Sequence, residues 1–177
     1  GYNGRVGGGL TEATLPYDPE TVDNFEVGIK SEWMDGRLRL NASAFTMDFE
    51  DKQEETKEAD PSNATGQVSL VRNAAQATIS GLEVEIQAQV SDALYVRANA
   101  GFLDAEYDEF SYASSAGPVD FSSRDMRRTP DITANIDVTY SWDTAGGEAW
   151  VRAAGRYIDK HFVDNENTIE LENDDGI

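Results

Sequence analysis

Few residues in this chain have the types and spacing that chemistry needs. Between residues 109 and 128, Tyr112 and Phe121 lie near Arg124, Arg127 and Arg128, and guanidinium groups beside aromatic rings suit an anionic, planar ligand. The same arginines also offset the acids around them, so the sequence leaves both readings open. Glu83 and Glu85 stand two apart in "SGLEVEIQAQV", residues 80–90, where paired carboxylates could act as acid and base. His161 is the only histidine and cysteine is absent, so no His or Cys pair can hold zinc, and His161 reads as a surface residue. The glycine-rich "GYNGRVGGG" at residues 1–9 lacks the Gly-Lys-Ser/Thr ending of a phosphate-binding loop and reads as a loop. No serine sits in a nucleophile elbow. We therefore expect no catalytic site, no metal site and no cofactor. The acid runs, including "DNENTIELENDDG", allow a calcium reading because carboxylates are hard oxygen ligands, but the EF-hand spacing is not met and solvated loops explain them better.

Composition narrows the classes further. Thirty-four Asp plus Glu against fourteen Lys plus Arg give a net charge of -20 over 177 residues, which argues against nucleic acid, whose phosphates are bound by basic surfaces. No run of about 18 apolar residues exists to form a transmembrane helix, and the start lacks the basic and apolar segments of a signal peptide. A mean hydropathy of -0.55 does not exclude a membrane β-barrel, whose strands alternate polar and apolar residues.

That alternation is the main structural signal. Six extended segments each show one apolar parity. The first, residues 24–33, sets Phe25, Val27, Ile29 and Trp33 against Glu26, Gly28, Lys30 and Glu32. The second starts with Leu38, Leu40, Ala42 and Ala44, but Phe45, Met47 and Phe49 fall on the opposite register. Either a β-bulge near Ala44 or an inward aromatic row accounts for this. In the third, Leu82, Val84, Ile86, Ala88 and Val90 oppose Glu83, Glu85, Gln87 and Gln89. The fourth sets Leu94, Val96, Ala98, Ala100 and Phe102 against Arg97, Asn99 and Gly101. The fifth sets Ile132, Ala134, Ile136, Val138, Tyr140 and Trp142 against Asp131, Thr133, Asn135 and Asp137. The sixth sets Ala149, Val151, Ala153 and Tyr157 against Trp150, Arg152 and Arg156.

Connections alternate too. Asp35-Gly36 is a strong two-residue hairpin signal, residues 91–93 and 143–147 are short, and residues 52–72 and 109–128 are long and polar. In an antiparallel meander this puts short turns at one end and long loops at the other, as in outer-membrane barrels. Three acid runs, at 48–60, 104–109 and 164–175, hold seventeen of the thirty-four acids and fall at the long-loop end. Trp33, Tyr140 and Trp142 mark a girdle near the short turns, and Phe49, Phe102, Tyr107 and Tyr157 one near the long loops. A soluble antiparallel sandwich also alternates, but its strands are usually about 5 to 6 residues long, whereas these reach the 9 to 11 that cross a bilayer at a tilt.

The wording of residues 19–53 and 71–110 resembles the C-terminal barrel of TonB-dependent outer-membrane receptors. Pro19-Glu20, Gly28 to Lys30, Asp35-Gly36, Asp51 to Gln53, Asn73-Ala74, Gly81-Leu82-Glu83 and Arg128 to Pro130 occur in the family's order. The resemblance implies an all-β, antiparallel up-and-down meander of about six long strands, part of a large barrel of about 22, in the outer membrane of a bacterial cell. Residues 1–177 read as one partial barrel domain without plug or closing strand, so the isolated piece is expected not to form a stable pore. The implied function is barrel wall and extracellular loops of a receptor for active uptake of a scarce nutrient such as a ferric siderophore. Its implied partners are outer-membrane lipid, the small ligand, and TonB through an N-terminal part. On this reading Leu82, Val84, Ile86, Ile132, Ile136 and Val138 face lipid, the glutamates line a wet lumen, and Arg124, Arg127, Arg128, Tyr112 and Phe121 are candidate substrate contacts. The alternative is a soluble acidic β-sandwich that binds a cationic or carbohydrate ligand.

Overall fold

Period-two alternation becomes one antiparallel sheet. The computed structural model describes residues 17–61 and 64–171, so the glycine-rich start and the end of the last acid run lie outside the described residues. The strands are β1 (Thr21–Trp33), β2 (Leu38–Ala59), β3 (Gln67–Gln89), β4 (Leu94–Ser114), β5 (Gly117–Asp120), β6 (Ile132–Thr144), β7 (Gly147–Ile158), β8 (His161–Phe162) and β9 (Glu170–Leu171). The wall runs β1-β2-β3-β4-β6-β7, with β5 folded back on β4 and β8 paired with β9. No helix occurs among the described residues.

The two faces of this wall are chemically distinct, because cross-strand partners share a face. One row reads Ile29, Ala42, Val84, Ala100, Ala134 and Tyr157, and the next Ser31, Leu40, Ile86, Ala98, Ile136 and Gly155. On the other face a row reads Lys30, Asn41, Glu85, Asn99, Asn135 and Arg156. Among the described residues no second layer covers the apolar face: Leu82, Ile86 and Ile136 are exposed, and Val84, Ile132 and Val138 are half-buried beside their neighbours. From Ile132 to Trp142 the strand rises about 34 Å at about 3.4 Å per residue. At a tilt near 45° that height matches an apolar band of about 25 Å. Among the described residues the wall is a single layer, unlike the two packed sheets of a sandwich.

Short turns lace one end. Met34, Asp35 and Gly36 all have positive φ, at 56°, 55° and 83°, and Arg37 N donates to Met34 O at 3.1 Å, closing the expected mirror-image turn. Arg37 also donates through Nε to Gln89 O at 3.2 Å and through Nη2 to Val90 O at 3.3 Å, tying the first turn to the second.

The structure settles the parity of β2. Pairing is unbroken from Leu38 to Phe49 against both neighbours, so there is no bulge near Ala44, and Phe45, Met47 and Phe49 form a row on the polar face. Phe45 lies over Gly81: a Cβ there would stand 2.5 Å from Phe45 Cζ and 2.9 Å from the Phe102 carbonyl. Only glycine fits beneath that ring.

The long connections differ from expectation. Much of 52–72 continues β2 and β3, and much of 109–128 continues β4 and adds β5. Where the sheet leaves the apolar band, three strands each carry an irregularity at one level. β2 takes an extra residue between Phe49 and Lys52, where Asp51 has φ 53°. β3 takes one between Ala75 and Asn73, and β4 one between Tyr107 and Glu109. An extra residue reverses which side chains face each way, so Lys52, Glu54 and Thr56 now point to the polar side. Phe49 and Tyr107 are paired through Ala77 on that side too, and are therefore not members of an outer girdle. Phe102 stays on the apolar face.

Candidate functional site

Around and above this level of bulges the polar side holds the core found among the described residues. Tyr107, Phe110 and Phe121 pack with Ala75, Ala77, Ala105 and Met126. Ring centroids lie 4.9 Å apart for Tyr107 and Phe110 and 5.3 Å apart for Phe110 and Phe121, within the range of favourable aromatic pairs.

Residues 121–131 form a strap along β4. Phe121 N donates to Phe110 O at 2.8 Å, Ser123 N to Tyr107 O at 2.6 Å, Met126 N to Ala105 O at 2.9 Å, and Leu103 N to Asp131 O at 2.8 Å. From Met126 to Asp131 the strap spends five steps while β4 advances two, so residues 127–130 are thrown out of the sheet. Arg128, at φ 62°, sits in that excursion and its N donates to Phe162 O at 2.7 Å. The Arg-Thr-Pro word is thus the bulge that delivers Arg127 toward β2.

Its destination is Glu54, whose side chain is 3% exposed. Lys52 Nζ lies 2.5 Å from Oε1, Tyr107 donates its hydroxyl to Oε1 at 2.9 Å, Arg127 Nη2 stands 3.6 Å from Oε2, and Asn165 Nδ2 donates at 3.4 Å. Four segments of the chain therefore meet at one carboxylate, and such a buried charge persists only when paired and hydrogen-bonded. Burial, and then the Glu54 charge, push the Tyr107 hydroxyl well above its usual range, so it stays a donor. Nearby, Arg72 grips Glu58 with bonds of 2.8 and 3.0 Å and holds its carboxyl below the usual range.

The candidate contacts are placed as follows. Arg124 caps the Phe121 ring at 4.8 Å and its Nη1 donates to the Glu166 carbonyl. Tyr112 stands 6.0 Å from Phe121. Arg124, Tyr112 and Phe121 are thus gathered, with Phe121 only 7% exposed inside the core. Arg127 keeps a side chain that is 45% exposed, and Arg128 is exposed. Sequence reasoning missed Glu54, Lys52 and Asn165, which lay in acid-rich stretches that looked solvated. His161 is half-buried, its Nδ1 3.2 Å from the Asp159 carbonyl. Asp131 faces Asp125, Asp159 and Asp104. Burial first, and then these charges, raise its carboxyl. Among the described residues no group of three or more His, Asp or Glu is arranged to hold a metal ion.

The family model "TonB dependent receptor-like, beta-barrel" matches residues 1–175. The chain belongs to this family. Its members are outer-membrane β-barrel proteins of bacteria. The chain is 24% identical over 155 residues to the probable TonB-dependent siderophore receptor PiuA of Acinetobacter baumannii, covering 85% of this chain and 19% of that protein. It is 30% identical over 102 residues to the metal-pseudopaline receptor CntO of Pseudomonas aeruginosa, covering 58% of this chain and 13% of that protein. Among solved structures, the ferric yersiniabactin uptake receptor FyuA of Yersinia pestis matches with a TM-score of 0.67 at 19% identity, over 89% of this chain and 21% of that one. The siderophore receptor PiuA matches with a TM-score of 0.64 at 22% identity, over 93% and 23%. The chain therefore spans about a fifth of the relatives it matches, and at such identities the solved structures establish the fold alone.

Proposed function

We propose that this chain supplies part of the barrel wall and extracellular mouth of a receptor for active uptake of a scarce nutrient, with a ferric siderophore the favoured class. The observation that carries the reading is the two-faced wall: an uncovered apolar band on one side, and on the other a polar face leading up to the arginine-bearing strap. On this reading Leu82, Val84, Ile86, Ile132, Ile136 and Val138 meet lipid. Arg124, Arg127 and Arg128 offer guanidinium forks to an anionic complex at the mouth, with Tyr112 at the edge of the aromatic cluster. Phe121 supports Arg124 from beneath. The wall contributes positioning and electrostatics and no bond chemistry, and energy would come through TonB acting on an N-terminal part. The relatives' siderophore names favour this class.

Replacing Arg127 and Arg128 with alanine in the full-length receptor tests it. Radioiron uptake by iron-starved cells expressing the variant should fall at least tenfold, with the receptor still present in the outer membrane. Unchanged uptake removes the arginines from ligand capture.

A further inference from the structure

All three strap arginines lead to one short segment, residues 159–171. Arg124 donates through Nη1 to the Glu166 carbonyl, Arg128 N donates to Phe162 O at 2.7 Å, and Arg127 shares Glu54 Oε2 with Asn165, at 3.6 and 3.4 Å. The two oxygens of Glu54 are thereby divided. Oε1 serves Lys52 and Tyr107 on the wall strands, and Oε2 serves the strap and the segment. Glu166 also acts on the aromatic end of the site: burial, opposed by a hydrogen bond to the Lys57 backbone, and then the Glu166 and Glu58 charges push the Tyr112 hydroxyl up. Within the segment the turn closes on itself. The Asp164 carboxylate accepts from Thr168 N at 3.2 Å, Thr168 Oγ1 at 2.7 Å and Ile169 N at 2.8 Å, Val163 N donates to Ile169 O at 3.0 Å, and β8 pairs with β9 at its foot. A unit braced from within and tied to its surroundings at a few points opens without unfolding the rest. The tie at Arg124 is of a kind that gives way. A guanidinium bonds an anion more strongly than a neutral carbonyl, yet the neighbouring acid Asp164 spends its carboxylate inside the turn and leaves Arg124 a main-chain oxygen.

We propose that residues 163–169 are a built-in competitor for the strap, seated with Glu166 at the cluster of Arg124, Phe121 and Tyr112 and displaced by an anionic ligand. The inference rests on the reading that the strap arginines capture the ligand, and it narrows the class of ligand. A ligand that brings several clustered anionic oxygens gains more at the guanidinium forks than the carbonyl it replaces, whereas a single carboxylate gains too little to lift the turn. Glu166 thus sets specificity by competing, and Glu54 Oε2 is the point to which Asn165 returns when the seat empties.

Modification of the full-length receptor in detergent with phenylglyoxal, read by peptide mass spectrometry, measures how available each guanidinium is. D164A/N165A unbraces the turn and removes its tie to Glu54, and should speed modification of Arg124 about tenfold, the scale of one hydrogen bond to a charged group. Arg39, exposed near the short turns, should keep its rate. E166A keeps the main-chain contact, so Arg124 should react at nearly the wild-type rate, while inorganic pyrophosphate should protect it at about threefold lower concentration, the scale of an exposed charge pair. An unchanged Arg124 rate in D164A/N165A overturns the proposal. If Arg39 accelerates as well, the wall itself has loosened and E166A decides: tighter protection by pyrophosphate supports the competitor, and unchanged or weaker protection overturns it. Neither readout uses the natural ligand. Arg124 uncovered as expected, together with uptake indifferent to R127A/R128A, would keep the segment as a cover and remove the arginines from uptake, so the two failures are told apart.

Discussion

The two halves of this sheet are built from the same strands and stabilised in different ways. From the short turns up to Phe102 and Ile132 no described residue is buried, whereas Leu70, Ala75, Ala77, Ala105, Tyr107, Phe110, Phe121 and Met126 are all buried around the bulges and toward the long-loop end. On the proposed function the band relies on its hydrogen-bond ladder and on lipid covering its apolar rows. On the same reading the long-loop end projects into water and brings its own core. A strand's apolar residues are thus read by where they lie along it: outward where lipid is the solvent, inward where water is.

Phe110 and Leu82 give the sharpest test of that contrast. Phe110→Ala should cost about 3–5 kcal/mol, the usual loss for a buried aromatic, while Leu82→Ala in micelles should cost well under 1 kcal/mol because no protein atoms close around it. Thermal unfolding of the full-length receptor measures both, and equal losses would erase the distinction. Ile136→Arg reverses the logic. A cation at mid-band should cost about 2–4 kcal/mol, read as reduced insertion into liposomes, while the same change on the polar face, Asn135→Arg, should be tolerated.

Much of this architecture was legible in the sequence, and the boundary of legibility follows the same division. In the band, alternation names the face directly: Ile132 to Trp142 and the Asp35-Gly36 turn needed nothing beyond local pattern. At the mouth the pattern is silent. Lys52 to Ala59 carries few apolar residues because the side chains it buries, Glu54 and Thr56, are polar, so a strand there looks like a loop. Phe49 and Tyr107 looked like girdle residues because they stand near strand ends, although the alternation that holds unbroken below the bulges puts both on the polar face. Glu54 could not be found because its burial depends on Arg127 and Asn165, far along the chain.

Smaller effects probe the mouth itself. Glu54→Gln removes the charge that joins Lys52, Tyr107 and Arg127, and should cost about 1.5–3 kcal/mol, the usual loss for hydrogen bonds to a charged group. Protease sensitivity of residues 159–171 should rise with it, since Asn165 loses its anchor. Smallest is the pH response. Asp131 has its carboxyl raised by burial and by three neighbouring aspartates, so the folded state favours the protonated form. Its stabilising contribution is present at low pH and is lost as pH rises through the raised value. Asp131→Asn should flatten that decline in urea melts run between pH 4 and 7, leaving the slope from other groups. Glu58 has the opposite sign: its lowered carboxyl contributes stability that is lost as pH falls.

The three bulges at one level, in β2, β3 and β4, have a mechanical consequence. An extra residue in each of three adjoining strands is a line dislocation across an otherwise regular lattice, and slip and bending concentrate where a lattice is dislocated. Loops above that line can be pulled or displaced while the ladder below keeps its register. On the proposed function, such a line would let the long-loop end yield to a cargo while the wall in the membrane keeps its register.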